Sequence, residues 1–189
     1  MKLVIGMTGA TGAIYGIRLL QALREADIET HVVLTKWAQA TIKLETSYSV
    51  ADVKALATRV YPIGNQAAAI ASGSFLMDGM VVVPCSMKTL ASIRVGLSDN
   101  LLTRAADVML KERRKLVLVP REAPLSELHL ENMLFLARMG AIILPPMPAF
   151  YSLPQSIDDL VSHTIARILD QFGIEHHLSP RWGEQDLDG

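Results

Sequence analysis

Several short stretches of this chain carry side chains suited to holding an anion or moving a proton. In Gly6-Met7-Thr8-Gly9-Ala10-Thr11-Gly12, glycines and hydroxyls follow the apolar run Leu3-Val4-Ile5. Glycines let the backbone approach a ligand closely, and a helix beginning behind them offers unpaired N–H groups to an anion. Cys85-Ser86-Met87-Lys88-Thr89 follows a second apolar run and brings hydroxyls and an ammonium to another helix start, a second natural site for an anion or a carbonyl. Arg121-Glu122 follows the run at 116–120. Its planar guanidinium suits phosphate, and its carboxylate could orient that fork or transfer a proton. Thr35 ends the run at 29–34, where it either donates to a ligand or caps the next helix.

Other candidates are more scattered. Glu45 closes the helix expected over 37–45 and could form a polar pocket wall. Ser72 lies in the small, polar loop Ala71-Ser72-Gly73-Ser74, which would let a flat ligand approach. Arg104 and Lys111 are seven apart, so they share nearly one helix face. The prolines at 145, 146 and 148 stiffen an arm that could hold Phe150 and Tyr151 over a pocket. Arg167 sits on the last helix, and Trp182 is an aromatic anchor on a polar tail.

Each feature also has a plain structural reading. The spacing Gly6-x-x-Gly9-x-x-Gly12 differs from the dinucleotide fingerprint Gly-x-Gly-x-x-Gly, and no Gly-Lys-Ser/Thr follows. An ordinary glycine-rich turn therefore remains open. Cys85 has no base near it in sequence and reads as a small buried thiol. The five histidines show no metal-binding spacing, so no metal is expected. The pair His176-His177 reads as solvated.

The elements that must position these residues follow from apolar patterning. Strands are expected at 3–5, 29–34, 79–84, 116–120 and 141–144, with a short one at 59–62. Helices are expected at 14–24, 37–45, 52–58, 66–71, 99–112, 126–139 and 156–172. This alternation predicts an α/β fold: a doubly wound parallel sheet in one domain over 1–189, with a tail from about 173.

Composition narrows the partners. The 189 residues are 50% hydrophobic with a net charge of −1, and mean hydropathy is +0.29. No basic stripe appears, so nucleic acid is a poor partner. No run approaches the roughly 18 apolar residues of a membrane span. The apolar excess suggests subunit interfaces. A single cysteine excludes an intrachain disulfide. With no signal-peptide pattern at the N-terminus, a cytoplasmic location is expected.

Met7-Thr8-Gly9-Ala10-Thr11-Gly12-Ala13, Pro84-Cys85-Ser86-Met87-Lys88-Thr89, Arg104-Ala105-Ala106-Asp107-Val108, Leu118-Val119-Pro120-Arg121-Glu122 and Pro180-Arg181-Trp182-Gly183 together closely resemble the UbiX-type flavin prenyltransferases, formerly labelled phenylacrylic acid or 3-octaprenyl-4-hydroxybenzoate decarboxylases. The resemblance covers nearly the whole chain. It implies a flavodoxin-like Rossmann fold that binds FMN, and a homododecamer built from trimers with sites at subunit junctions. It implies transfer of the dimethylallyl group of dimethylallyl monophosphate to N5 and C6 of reduced FMN, without metal. The product would serve a UbiD-type decarboxylase.

By position, the resemblance places Gly9, Ala10, Thr11, Thr35, Ser86, Met87, Lys88, Thr89 and Arg121 around FMN. Thr11 and Thr35 stand where the family commonly has serine, and both keep the hydroxyl. It places Lys111, Arg121, Tyr151 and Arg167 on the phosphate of the ester. Glu122 and Glu45 match carboxylates beside that site, Ser72 a hydroxyl near the flavin, and Trp182 an aromatic wall. A flavin-dependent oxidative decarboxylase of peptidyl cysteine and an FMN carrier are the alternatives.

Overall fold

The computed structural model describes residues 1–183. Its chain order is β1 (Lys2–Met7), α1 (Ala13–Glu25), β2 (Glu29–Leu34), α2 (Lys36–Glu45), α3 (Val50–Ala55), β3 (Arg59–Tyr61), a 3-10 turn (Ala69–Ala71), β4 (Gly79–Cys85), α4 (Met87–Arg94), α5 (Leu101–Lys111), β5 (Lys115–Pro120), α6 (Glu127–Arg138), β6 (Ile142–Ile143) and α7 (Ile157–Phe172). The strands form one sheet in the order β3-β2-β1-β4-β5-β6, and every pairing is parallel. Without the short edge strand β3, this is the flavodoxin-type order 2-1-3-4-5.

The central strands are buried because they are apolar on both faces. Leu3, Val4 and Ile5 of β1, Met80 to Val83 of β4, and Leu116 to Val119 of β5 are inaccessible to solvent, as strands covered by helices on both sides must be. Helix starts are written locally. Thr35, Ser49, Ser86, Asn100, Ser126 and Ser156 each accept a backbone N–H of the helix they precede, satisfying donors that a first turn leaves unpaired.

The departures from expectation are local. Only Ala69–Ala71 of the helix expected over 66–71 forms, as a 3-10 turn. The expected helix at 52–58 lies at Val50–Ala55, because Ser49 and Asp52 make a reciprocal capping box. The last strand shrinks to Ile142–Ile143, between Gly140 at φ +95° and Pro145.

The connection after β1 leads to β2 on one side, and β4 continues to β5 on the other. The carboxyl ends of β1 and β4 therefore flank a topological switch point, where open α/β sheets bind ligands. The sheet and its flanking helices lie in a compact unit, Met1–Pro145, and a second compact unit begins at Pro146. In the first unit, α6 turns Leu128, Leu130, Leu134 and Phe135 outward, an apolar surface on a helix whose buried residues are Asn132 and Leu136. Among the described residues, no helix is long and apolar enough to cross a membrane.

Candidate functional site

At the switch point, one buried hydroxyl ties two strand ends together. Thr8 follows β1; its Oγ1 donates to the Pro84 carbonyl at 2.7 Å and accepts from the Ser86 N–H at 2.8 Å. Its own N–H donates to the same carbonyl at 3.2 Å. Ser86 is thereby fixed as the N-cap of α4, where its Oγ accepts from Thr89 N at 3.3 Å and donates to Thr89 Oγ1 at 3.1 Å. Sequence reasoning did not place Thr8 among the site residues. A hydroxyl directly after a buried strand and directly before a glycine was the available signal.

Gly9 is required by close packing. A Cβ there would lie 2.3 Å from Cβ of Trp37, too close for any side chain. Trp37 itself is 74% exposed. Thr8, Gly9, Thr35, Trp37, Ser86, Lys88 and Thr89 line one cleft of about 260 Å³. Thr35 takes the capping option, accepting from Ala38 N at 3.0 Å. Ala10 and Thr11 lie in the turn between Gly9 and Gly12, and Met87 opens α4.

Two amides at the start of α1 are already bonded within the protein. Glu45, at the end of α2, takes both: its Oε2 accepts from Gly12 N at 2.8 Å and Ala13 N at 3.0 Å. Gly12 makes the turn possible with φ +100°. Burial alone would raise the pKa of Glu45. The Thr11 hydroxyl, the two amides and the charge of Arg121 outweigh it and hold the carboxyl below its ordinary value. Glu45 therefore ties the end of α2 to the start of α1.

The remaining candidates of the first unit lie near the ends of α5 and β5. Arg121 is exposed and donates its N–H to the Cys85 carbonyl at 3.2 Å. Glu122 turns back to accept from Ala123 N at 3.1 Å. Lys111 pairs with Glu112, which holds that carboxyl below its ordinary value. Ser72 and Ser74 share a hydroxyl–hydroxyl bond of 2.9 Å. Their loop is pinned through its carbonyls, by Arg104 Nε on Ala71 at 3.1 Å and by Arg114 on Gly73 and Phe75. Cys85 is wholly buried and its thiol is pushed up to about 12, so it is inert at neutral pH.

In the second unit, Tyr151, Arg167 and Trp182 line one pocket of about 430 Å³. The rings of Tyr151 and Trp182 meet edge to face at 5.2 Å, and Tyr151 meets His163 the same way at 5.6 Å. Burial, and then the Arg167 charge, keep His163 below the ordinary imidazole value. Asp170 is the hub. Its Oδ2 accepts from Arg167 at 2.7 Å, and its Oδ1 accepts from Arg181 at 2.8 Å and faces His176 Nε2 at 3.1 Å. The expectation that His176 is solvated is corrected, since its side chain is only 5% exposed. Among the described residues, no cluster of His, Cys, Asp or Glu could hold a metal ion.

Comparison with known proteins agrees with this architecture. The family model described as Flavoprotein matches residues 1–169. A protein of Escherichia coli O157:H7 named "Probable UbiX-like flavin prenyltransferase" is 63% identical over 96% of this chain and 93% of its own length. A dodecameric FMN-dependent UbiX-like decarboxylase from Escherichia coli O157:H7 superposes with a TM-score of 0.95 at 63% identity, over 96% of this chain and 99% of that one. A structure of AnUbiX (PadA1) with FMN and dimethylallyl pyrophosphate gives a TM-score of 0.96 at 55% identity, over 98% of each chain. The fold is that of a flavoprotein. The chain belongs to the flavoprotein family and, within it, to the UbiX-like flavin prenyltransferases.

Two outcomes follow from the geometry. Thr8→Val keeps the shape but leaves the Pro84 carbonyl and the Ser86 amide without their hydroxyl partner. Denaturant unfolding should show a loss of about 1–3 kcal/mol, and flavin should bind more weakly. Glu45→Gln should be less stable than the parent above the unfolded-state carboxyl pKa, near the ordinary value of 4.5. Because the folded pKa is lowered, that difference should shrink as pH falls through it. Parallel unfolding curves at pH 7 and pH 3 check this, and a difference independent of pH would contradict it.

Proposed function

We propose that this protein is a flavin prenyltransferase that transfers the dimethylallyl group of dimethylallyl monophosphate to N5 and C6 of reduced FMN. The observation that supports this most strongly is the match, over 98% of each chain, to the relative crystallised with FMN and dimethylallyl pyrophosphate. The cleft suits FMN: Gly9 admits no side chain, Trp37 offers an aromatic surface, and Thr35, Ser86, Thr89 and Lys88 bring hydroxyls and one positive charge.

Ala10, Thr11, Met87 and Arg121 complete the proposed flavin contacts. FMN supplies the nucleophilic nitrogen and carbon to which the five-carbon unit is joined. The C–O bond of the ester breaks with its electron pair going to inorganic phosphate. Lys111, Arg121, Tyr151 and Arg167 hold that phosphate, and fixed cations stabilise its growing charge without reorganising. Trp182 shields the developing allylic cation and attracts it through its ring face. Glu122 or the departing phosphate takes the proton released at ring closure. Ser72 lies beside the flavin, and Glu45 keeps the glycine turn in shape. The product is a cofactor for a UbiD-type decarboxylase, and a cytoplasmic setting fits a reduced flavin.

The protein is proposed to work as a homododecamer built from trimers, with α6 supplying apolar contact surface. Oxidative decarboxylation of peptidyl cysteine and simple FMN carriage are less supported, since the near full-length relative at 63% identity is named as a prenyltransferase.

Lys111→Ala and Arg167→Ala should each cut phosphate release from the ester at least about tenfold, the worth of one charge-assisted bond. Both should retain FMN as the parent does. Unchanged phosphate release in both variants would contradict the phosphate assignment. Leu134→Lys should lower the assembled mass measured by light scattering, whereas an unchanged mass would remove α6 from the interface.

A further inference from the structure

The pocket of the second unit holds a cation to which neither composition nor family position assigns a role. Arg181 and Arg167 bond to opposite oxygens of the same carboxylate, Asp170. Arg167 comes from α7 and Arg181 from the tail, so Asp170 is what brings the two guanidiniums side by side. Both line the pocket with Tyr151, His163 and His176, and Asp170 is the only carboxylate among its described lining residues. Two guanidiniums against one carboxylate leave a net positive pocket even with both imidazoles neutral.

His176 meets the same carboxylate, its Nε2 lying 3.1 Å from Asp170 Oδ1.

Resting on the prenyltransferase reading, we infer that Arg181 is a second phosphate-binding residue, held beside Arg167 by Asp170. A guanidinium carries five N–H donors in a planar fork, enough to serve a carboxylate and a phosphate together. A phosphate monoester presents several terminal oxygens and suits two forks better than one. The shared carboxylate limits the rotamers of both arginines before the ester arrives, which lowers the ordering cost of binding. It also fastens the tail, so Trp182 stays against Tyr151.

The test uses inorganic phosphate as the probe, titrated calorimetrically into the FMN-loaded protein. Arg181→Gln can still donate to Asp170 but carries no charge. It should weaken phosphate about tenfold, raise KM for the ester more than it lowers kcat, and leave Trp182 emission unchanged in a Trp37→Phe background. Arg181→Lys retains the charge and should recover most of the affinity. If Arg181→Gln binds phosphate like the parent while Arg167→Gln does not, Arg181 only docks the tail and the inference is overturned. If the parent itself shows no phosphate binding and Arg167→Gln turns over normally, the phosphate reading of the pocket fails, and the inference with it.

Discussion

The structure depends on the Thr8 hydroxyl at the switch point. β1 and β4 run side by side, but their chains continue to opposite halves of the sheet. Something must hold the two exits in register where they part. Thr8 does this with one side chain, giving its proton to Pro84 and receiving that of Ser86. Each such bond contributes only about 1 kcal/mol net, whereas an unmet buried partner costs about 1–3 kcal/mol. The bond therefore matters chiefly for what it forbids. With Ser86 fixed, α4 can begin only there, and with Thr8 fixed, Gly9 must pass under Trp37.

The electrostatics divide the work between two helix starts. The N-terminus of α1 is neutralised from within by Glu45, whose lowered pKa keeps it charged at neutral pH. That internal anion satisfies two amides of the turn. The α4 start keeps its hydroxyls and Lys88 at the cleft. Cys85, between the two, is buried and protonated, so this sulfur takes no part as a nucleophile.

Much of the fold was legible because its causes are local. Apolar runs marked the central strands, and the helices expected from 126 and 156 open on the serines that cap α6 and α7. What escaped was carried by distant partners. Glu45 reaches across 33 positions to Gly12, and Thr8 across 78 to Ser86. His176 looked solvated in a polar tail, yet Asp170 buries it. No periodicity reports such pairings, because they exist only once the elements are packed. Asp170 was invisible for the same reason: alone on α7 it is one more polar residue, and only the returning tail makes it a hub for two arginines.

The central claim is that flavin leaves this protein chemically changed. The most direct measurement is the mass of the flavin released after anaerobic incubation of the protein with reduced FMN and dimethylallyl monophosphate. The account predicts a flavin heavier by one five-carbon unit, formed together with inorganic phosphate. Flavin of unchanged mass, from folded protein with FMN bound, would contradict it.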